Sequence, residues 1–240
     1  MIGTVLNIAG ILIGGIIGLA AGKRLSPANE FLFKTALGVL AGFYGLWLTW
    51  ASLNGPFLQV LKQLLVVLIA LMLGKLTGRL LHLQRASNYL GRCAREHIAA
   101  AKPGDAQSVG EGFKTCTLLF CAAPLGVLGA LQDGLSGYPY ALAVKGVMEG
   151  LAAMGFVSML GWGVMLAALP VLAWQGTITL ASGRLLAPLL QAHALIDPVN
   201  AAGGLLVFAV ALVILELKKI PLADYLPSLA FAPLITWLWG

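Results

Sequence analysis

The sequence predicts an all-α fold, a polytopic transmembrane helical bundle, on three observations. The chain of 240 residues is 60% hydrophobic and only 10% charged. Its mean hydropathy is +0.93. Its apolar runs are long, against the roughly 20 helical residues that a bilayer core about 30 Å thick demands. A single integral membrane domain, 1–240, is expected. It has about eight spans, or seven plus a re-entrant segment, and the fourth helix is kinked or broken.

The first span, 2–22, is followed by Lys23 and Arg24 and has no basic region before it, so it reads as a retained helix and not as a signal peptide. Gly10, Gly14, Gly18 and Gly22 line one face of it, with Gly3 and Asn7 close by. Such a face lets a second helix approach closely, within the chain or in a homo-oligomer. The second span is 31–53 and the short third is 57–74. A basic linker, 75–112, then carries Lys75, Arg79, Arg85, Arg92, Arg95 and Lys102. Its residues 76–100 read either as an amphipathic helix on an anionic leaflet or as a solvated extension of the third span. Lys102-Pro103-Gly104-Asp105 ends it as a loop.

The fourth span, 113–133, contains Pro124, Gly126 and Gly129. Proline removes a backbone donor and crowds the preceding turn, which is why a break is expected there. Spans 140–160 and 162–183 are separated by a tight turn at Gly161-Trp162-Gly163. A second linker, 184–200, carries Pro188, His193, Asp197, Pro198 and Asn200, and the spans 203–217 and 221–239 follow. Phe33-Lys34-Thr35 and Phe113-Lys114-Thr115 open two spans alike, a faint internal echo.

The net charge of +6 is concentrated in linkers and is not a nucleic-acid signature. If the spans alternate, Lys23-Arg24, the basic linker and Lys218-Lys219 fall on one side, with Arg184 the exception. The bias of positive residues makes that side cytoplasmic and puts both termini outside. Of the three cysteines, Cys93 lies in the linker and Cys116 and Cys121 in the fourth span, with no metal spacing among them. No Walker loop, zinc box or nucleophile elbow is present, so neither an enzyme site nor a cofactor is expected.

Lys145 and Glu149 stand out, four residues apart inside an apolar span. Glu149 falls about 13 Å into its helix at 1.5 Å per residue, near the middle of the bilayer. Ionisable groups at that depth are costly and mark pathways for protons and ions, although a purely structural pair remains the alternative. Gln132 and Asp133 follow the break, and Asp133 reads either as a buried group or as part of an outer turn before Tyr138-Pro139-Tyr140. Gln175 supplies a further polar group in the sixth span, with Thr177 and Thr179 after it. Glu216 and Lys62 lie near span ends, where snorkelling accounts for them.

Several motifs together resemble the YqgA/YdfK-like family of uncharacterised bacterial inner-membrane proteins. They are Gly3-Thr4…Asn7…Gly14-Gly15…Gly18, Gly129-Ala130-Leu131-Gln132-Asp133-Gly134-Leu135-Ser136-Gly137, Lys145…Glu149-Gly150, Gly161-Trp162-Gly163-Val164, Pro170…Gln175-Gly176 and Leu226-Pro227-Ser228. The resemblance runs over essentially the whole chain. It implies a multi-pass protein of the bacterial inner membrane and brings no substrate. The chain departs from the family pattern at Glu149, where an aspartate is usual, and at Gly146, where a serine is usual. The longer reach of glutamate puts a metal- or ion-coordination geometry carried over from the family in doubt.

The reading is a transporter or channel for a small solute or ion, with Asn7, Gln132, Asp133, Lys145, Glu149 and Gln175 around a mid-membrane site. The alternative is a structural or regulatory membrane protein without transport activity. Lipid is the expected surrounding partner, and a homo-oligomer is compatible with the glycine face.

Overall fold

The structure, a computed structural model, describes residues 1–21, 26–100 and 108–239, and contains helices and no strand among them. Gly22, Lys23, Arg24 and the Lys102–Asp105 loop lie outside the described residues. Among the described residues, six helical segments are long and apolar enough to cross a membrane. They are α1 (Ile2–Ala21), α2 (Pro27–Ala51), α3 (Phe57–Leu80), α7 (Tyr140–Leu160), the continuous run Gly163–Ala192, and α11 (Ile196–Ile214). Between α3 and α7 come α4 (Leu83–Ala100), α5 (Ser108–Cys121) and α6 (Pro124–Ser136). The α5–α6 pair, bent by 63°, makes a seventh crossing if taken as one span. The run Gly163–Ala192 comprises α8 (Gly163–Leu166), α9 (Ala168–Ala181), a π-helical turn at Ser182–Leu186 and α10 (Ala187–Ala192).

Local chemistry explains the boundaries. Ser26 caps α2 by accepting from the Asn29 amide at 3.3 Å, and Pro27 takes the first helical position, where its missing N–H costs nothing. Pro124 does the same for α6 and forces Ala123 out of the helical region, to φ −68° and ψ 121°. The break expected at Pro124 is therefore present and has that cause. Gly137 ends α6 at φ 71° and ψ 17°, in the left-handed conformation that glycine reaches without strain. Gly161, at φ 71° and ψ −173°, makes the turn out of α7.

Three boundaries differ from expectation. The linker expected at 184–200 shrinks to a short turn, because the helix runs on to Ala192 and α11 begins at Ile196. Pro188 and Pro198 both sit in first turns, where proline is tolerated. The segment expected as the eighth span, 221–239, is interrupted at Pro227 into α12 (Leu222–Tyr225) and α13 (Ser228–Trp239), of 4 and 12 residues. The basic linker contains a separate helix. His82, at φ 58°, turns the chain between α3 and α4. Gln84 then ties α4 to α12, its amide donating to Asp224 Oδ1 at 2.8 Å and its Oε1 accepting from the Ala223 amide at 3.0 Å.

Packing fixes the relative directions of the helices. α1 and α7 run parallel, with Gly3 against Leu142, Gly10 against Gly146, Gly14 against Gly150 and Gly18 against Met154. α2 and α11 run antiparallel, with Gly38 against Leu215 and Gly45 against Gly204 and Phe208. α3 and α13 also run antiparallel, with Gly74 against Ser228 and Lys62 donating to the Trp239 carbonyl at 3.0 Å. Two apolar cores result. One gathers residues of α2, α3, α6, α11 and α13, such as Leu48, Leu128 and Val207. The other gathers residues of α1, α5, α7, α8 and α9, such as Ile11, Phe120 and Val157. The outer surface is apolar as well, and exposes Leu40, Phe43, Trp50, Leu68, Met72 and Leu169. A surface of that kind is at home in lipid, not in water.

The α1–α7 seam admits no side chain where Gly10 and Gly14 meet Gly146 and Gly150. A Cβ on Gly14 would collide with the backbone of Gly150. Gly14→Val is expected to lower stability by about 1–3 kcal/mol or more. Gly155, with nothing within 4 Å of its Cβ position, is the control. Gly155→Ala should leave the unfolding midpoint in detergent unchanged while Gly14→Val lowers it.

Candidate functional site

The parallel seam delivers polar side chains into the space between α1, α6, α7 and α9. Lys145 and Glu149 stand on successive turns of α7, so their side chains meet on one face. The Lys145 ammonium donates to Glu149 Oε1. Only 2% of Lys145 and 7% of Glu149 are exposed. A lone charge at that burial would carry a large desolvation penalty, which a partner one turn away offsets only in part. Gly126 of α6 makes room for the lysine, since a Cβ there would lie 3.1 Å from Lys145 Cε and 3.1 Å from Gln175 Nε2.

Asn7 and Gln175 close the cluster from α1 and α9. Asn7 Nδ2 donates to Gln175 Oε1 at 2.9 Å, and neither residue has exposed surface. The Asn7 amide also lies beside the Glu149 carboxylate, and the Cys121 thiol of α5 is within electrostatic reach of Lys145. Three polar atoms of the cluster are buried without a hydrogen-bond partner among the described residues: Glu149 Oε2, Asn7 Oδ1 and Gln175 Nε2. Orphaned polar atoms are uncommon in folded interiors, and three around one ion pair single this cluster out within the bundle.

Asp133 is buried, which decides between its two sequence readings in favour of the interior. It sits at the start of α1, where backbone donors have no intrahelical acceptor. Its Oδ2 accepts from the Thr4 amide at 3.3 Å, and its Oδ1 lies 3.1 Å from the Met1 ammonium. A carboxylate is favoured at a helix N-terminus by the helix dipole. Thr4 Oγ1 in turn meets Thr179 Oγ1 at 3.2 Å. Asp133 thus joins the cluster through Thr4, a residue that its sequence context does not single out.

Gln132, one residue earlier, points to the other face of α6. It lies against Gly203 of α11, where an added Cβ would be 2.7 Å from its Nε2. Both of its amide atoms are buried and have no hydrogen-bond partner among the described residues. Of the six residues expected at one site, Asn7, Lys145, Glu149 and Gln175 are brought together, Asp133 is linked to them, and Gln132 is not. The Gly126 contact with Lys145 also has no sequence signal beyond the glycine itself. No group of three or more His, Cys, Asp or Glu suited to a metal ion occurs among the described residues.

The fold and this buried polar cluster define a multi-pass α-helical membrane protein. The chain belongs to the family described as a protein of unknown function, DUF554, which matches residues 2–237. It is 28% identical over 240 residues to the uncharacterized membrane protein YdfK of Bacillus subtilis (strain 168), covering 99% of this chain and 96% of that one. It is also 28% identical over 242 residues to the uncharacterized protein YqgA of Escherichia coli (strain K12), covering 100% and 97%. No solved structure matches the chain.

Asp133→Ala leaves the buried Thr4 amide without an acceptor and should cost about 1–3 kcal/mol. Asp133→Asn keeps a carbonyl oxygen for that amide and should cost less. Equilibrium unfolding in mixed detergent micelles would order the two.

Proposed function

We propose that the protein is a transporter or channel of the bacterial inner membrane for a small solute or ion, and that the cluster of Asn7, Lys145, Glu149 and Gln175 is its site. The observation that carries the reading is the buried ion pair with three unsatisfied polar atoms around it. A pair that served only to hold helices together would be expected to have its lone pairs and protons satisfied, because each orphan adds to the desolvation cost. In this reading Glu149 takes the incoming ion or proton and Lys145 is its resident counter-ion. The protein performs no catalysis on this reading. The basic linker is cytoplasmic and both termini are outside. The helix directions support that orientation, since they are those of successive alternating crossings with the arginines of α4 and Lys218-Lys219 at one end.

Glu149→Gln should abolish proton-linked flux in proteoliposomes that enclose a pH-sensitive dye. Flux equal to that of the unaltered protein would overturn the role of Glu149.

The caps and hydroxyl contacts around Asp133 favour a second reading, a structural or regulatory protein whose buried polar groups set helix register. The two readings separate on one set of variants. Lys145→Met alone strands a buried carboxylate and should destabilise by about 3–5 kcal/mol, while Lys145→Met with Glu149→Leu should restore folding. Transport predicts a folded double variant without flux. The structural reading predicts a folded double variant that still complements a deletion strain.

A further inference from the structure

The first turns of α2 stand clear of the bundle. α11 holds α2 through Gly38 and Gly45, while every residue from Pro27 to Lys34 is exposed. Opposite these turns lies the second half of α7. Between them is a recess of about 630 Å³, a size common among small-molecule sites. α7 lines it from Met148 to Met159, and Ile98 of α4 closes a third side. The recess reaches the α7 backbone, since Gly155 is part of its wall and nothing lies within 4 Å of a Cβ built there.

The recess is apolar along its length and charged at one end. From Met148 to Met159 the wall runs for about 16 Å at 1.5 Å per residue. That is one leaflet of a hydrocarbon core about 30 Å thick. Met159 is at the basic-linker end of the bundle, where Leu160 meets Gly112. The charged side chains of the recess, Glu30 and Lys34, both come from α2 and pair with each other at 3.1 Å, each about half exposed. An exposed pair of that kind is weak and gives way to other partners. None of the α4 arginines borders the recess. Glu30 and Lys34 also border a recess on the other flank of α2, where Glu216 and the end of α11 stand. Farther along the α2–α7 boundary, a recess against Phe43, Trp47 and Tyr140 has no charged group.

We propose that the α2–α7 recess holds one phospholipid from the leaflet on the basic-linker side, bound in place and distinct from the surrounding lipid. One acyl chain lies along α7 over Gly155, and the headgroup sits at Glu30 and Lys34. The mouth selects the headgroup. An acid and a base side by side complement an ammonium and a phosphate together, as in an aminophospholipid, whereas Glu30 opposes a headgroup that carries phosphate alone. A second copy of the chain fits less well. Its helix would be about 10–12 Å across and two leaflets long, and it would press hydrocarbon against the charged mouth. The site stands apart from the Lys145–Glu149 cluster and holds whether or not the protein transports.

The test uses the full chain in vesicles of phosphatidylethanolamine and phosphatidylglycerol in equal amounts, with matched chains. In separate samples a trace of one or the other lipid carries a diazirine in its acyl chain, and the peptides crosslinked on illumination are mapped by mass spectrometry. The phosphatidylethanolamine probe should concentrate on the α7 stretch from Met148 to Met159. It should label that stretch about threefold more than the phosphatidylglycerol probe, the weight of one exposed ion pair. Glu30→Gln, at an exposed position, should bring the two probes level. Gly155→Leu fills the recess and should cut labelling about tenfold, the weight of roughly two buried methylenes. Glu30→Gln reads the site by itself if Gly155→Leu does not fold. The proposal is overturned by labelling spread evenly over the lipid-facing helices, by equal labelling from both probes in the unaltered protein, or by undiminished labelling of a folded Gly155→Leu variant. Shielding of the stretch from both probes, as a second copy would give, overturns it as well.

Discussion

The backbones of α1 and α7 touch because Gly10 and Gly14 face Gly146 and Gly150 with no side chain between them. In lipid, helices gain nothing from hiding apolar surface from each other, so close backbone approach is what holds a pair of spans together. That approach also dictates what lies beside it. Asn7 is one turn before Gly10, and Lys145 and Glu149 flank Gly146 and Gly150. Once the glycines seat, the polar residues next to them have no route to solvent and must find partners in the bundle. Gln175 of α9 supplies one and Gly126 of α6 supplies space. The polar cluster is thus a consequence of the seam.

The arrangement is costly in a way that constrains its purpose. Two charges and two amides have been removed from water, and the ion pair compensates for only part of that. Apolar residues of similar volume would hold these helices at least as well. The seam itself is already provided by glycines, and α9 is anchored to α6 where Gly134 meets Ser182 and Thr179. Register has therefore been fixed twice before the ion pair is counted. A buried pair with an unsatisfied carboxylate oxygen is hard to explain by helix anchoring alone and easier to explain as a resting state that something else interrupts.

Much of this was legible in the sequence, for reasons that differ by residue. The seam showed as glycines at a spacing of four, since that spacing maps onto one helix face whatever the partner. The break showed as Pro124, because proline acts on its own backbone and on Ala123 without regard to tertiary context. Lys145 and Glu149 were visible because charge is rare in an apolar run. The role of Asp133 was not visible: capping α1 requires a residue far along the chain to arrive at its first turn. Thr4 stood only within a motif and Thr179 only as a neighbour of Gln175, and nothing in the sequence brings the two hydroxyls together. Gln132 was misplaced because adjacent residues on a helix point about 100° apart, so its neighbour's surroundings say little about its own. The helix ends near Ala192 and Pro227 depended on whether each proline fell in a first turn or between helices, which hydropathy does not resolve.

The break in the fourth span connects this interior to the basic linker. A helix that stops at Cys121 leaves carbonyl groups without their usual amide donors, and the Ser87 hydroxyl of α4 donates to the one at Ala122 at 3.1 Å. The helix that supplies this hydroxyl also carries the exposed Arg85, Arg92 and Arg95, and it is fixed at its start to α12 through Gln84. One turn beyond the break, Gly126 lies against Lys145. A short chain of contacts thus runs from the arginine-bearing helix, through the capped carbonyl and the bent α5–α6 pair, to the lysine that neutralises Glu149. Any displacement of α4 relative to the bundle must either lose the Ser87 bond or carry the break with it, and the break cannot move far without altering the space in which Lys145 sits.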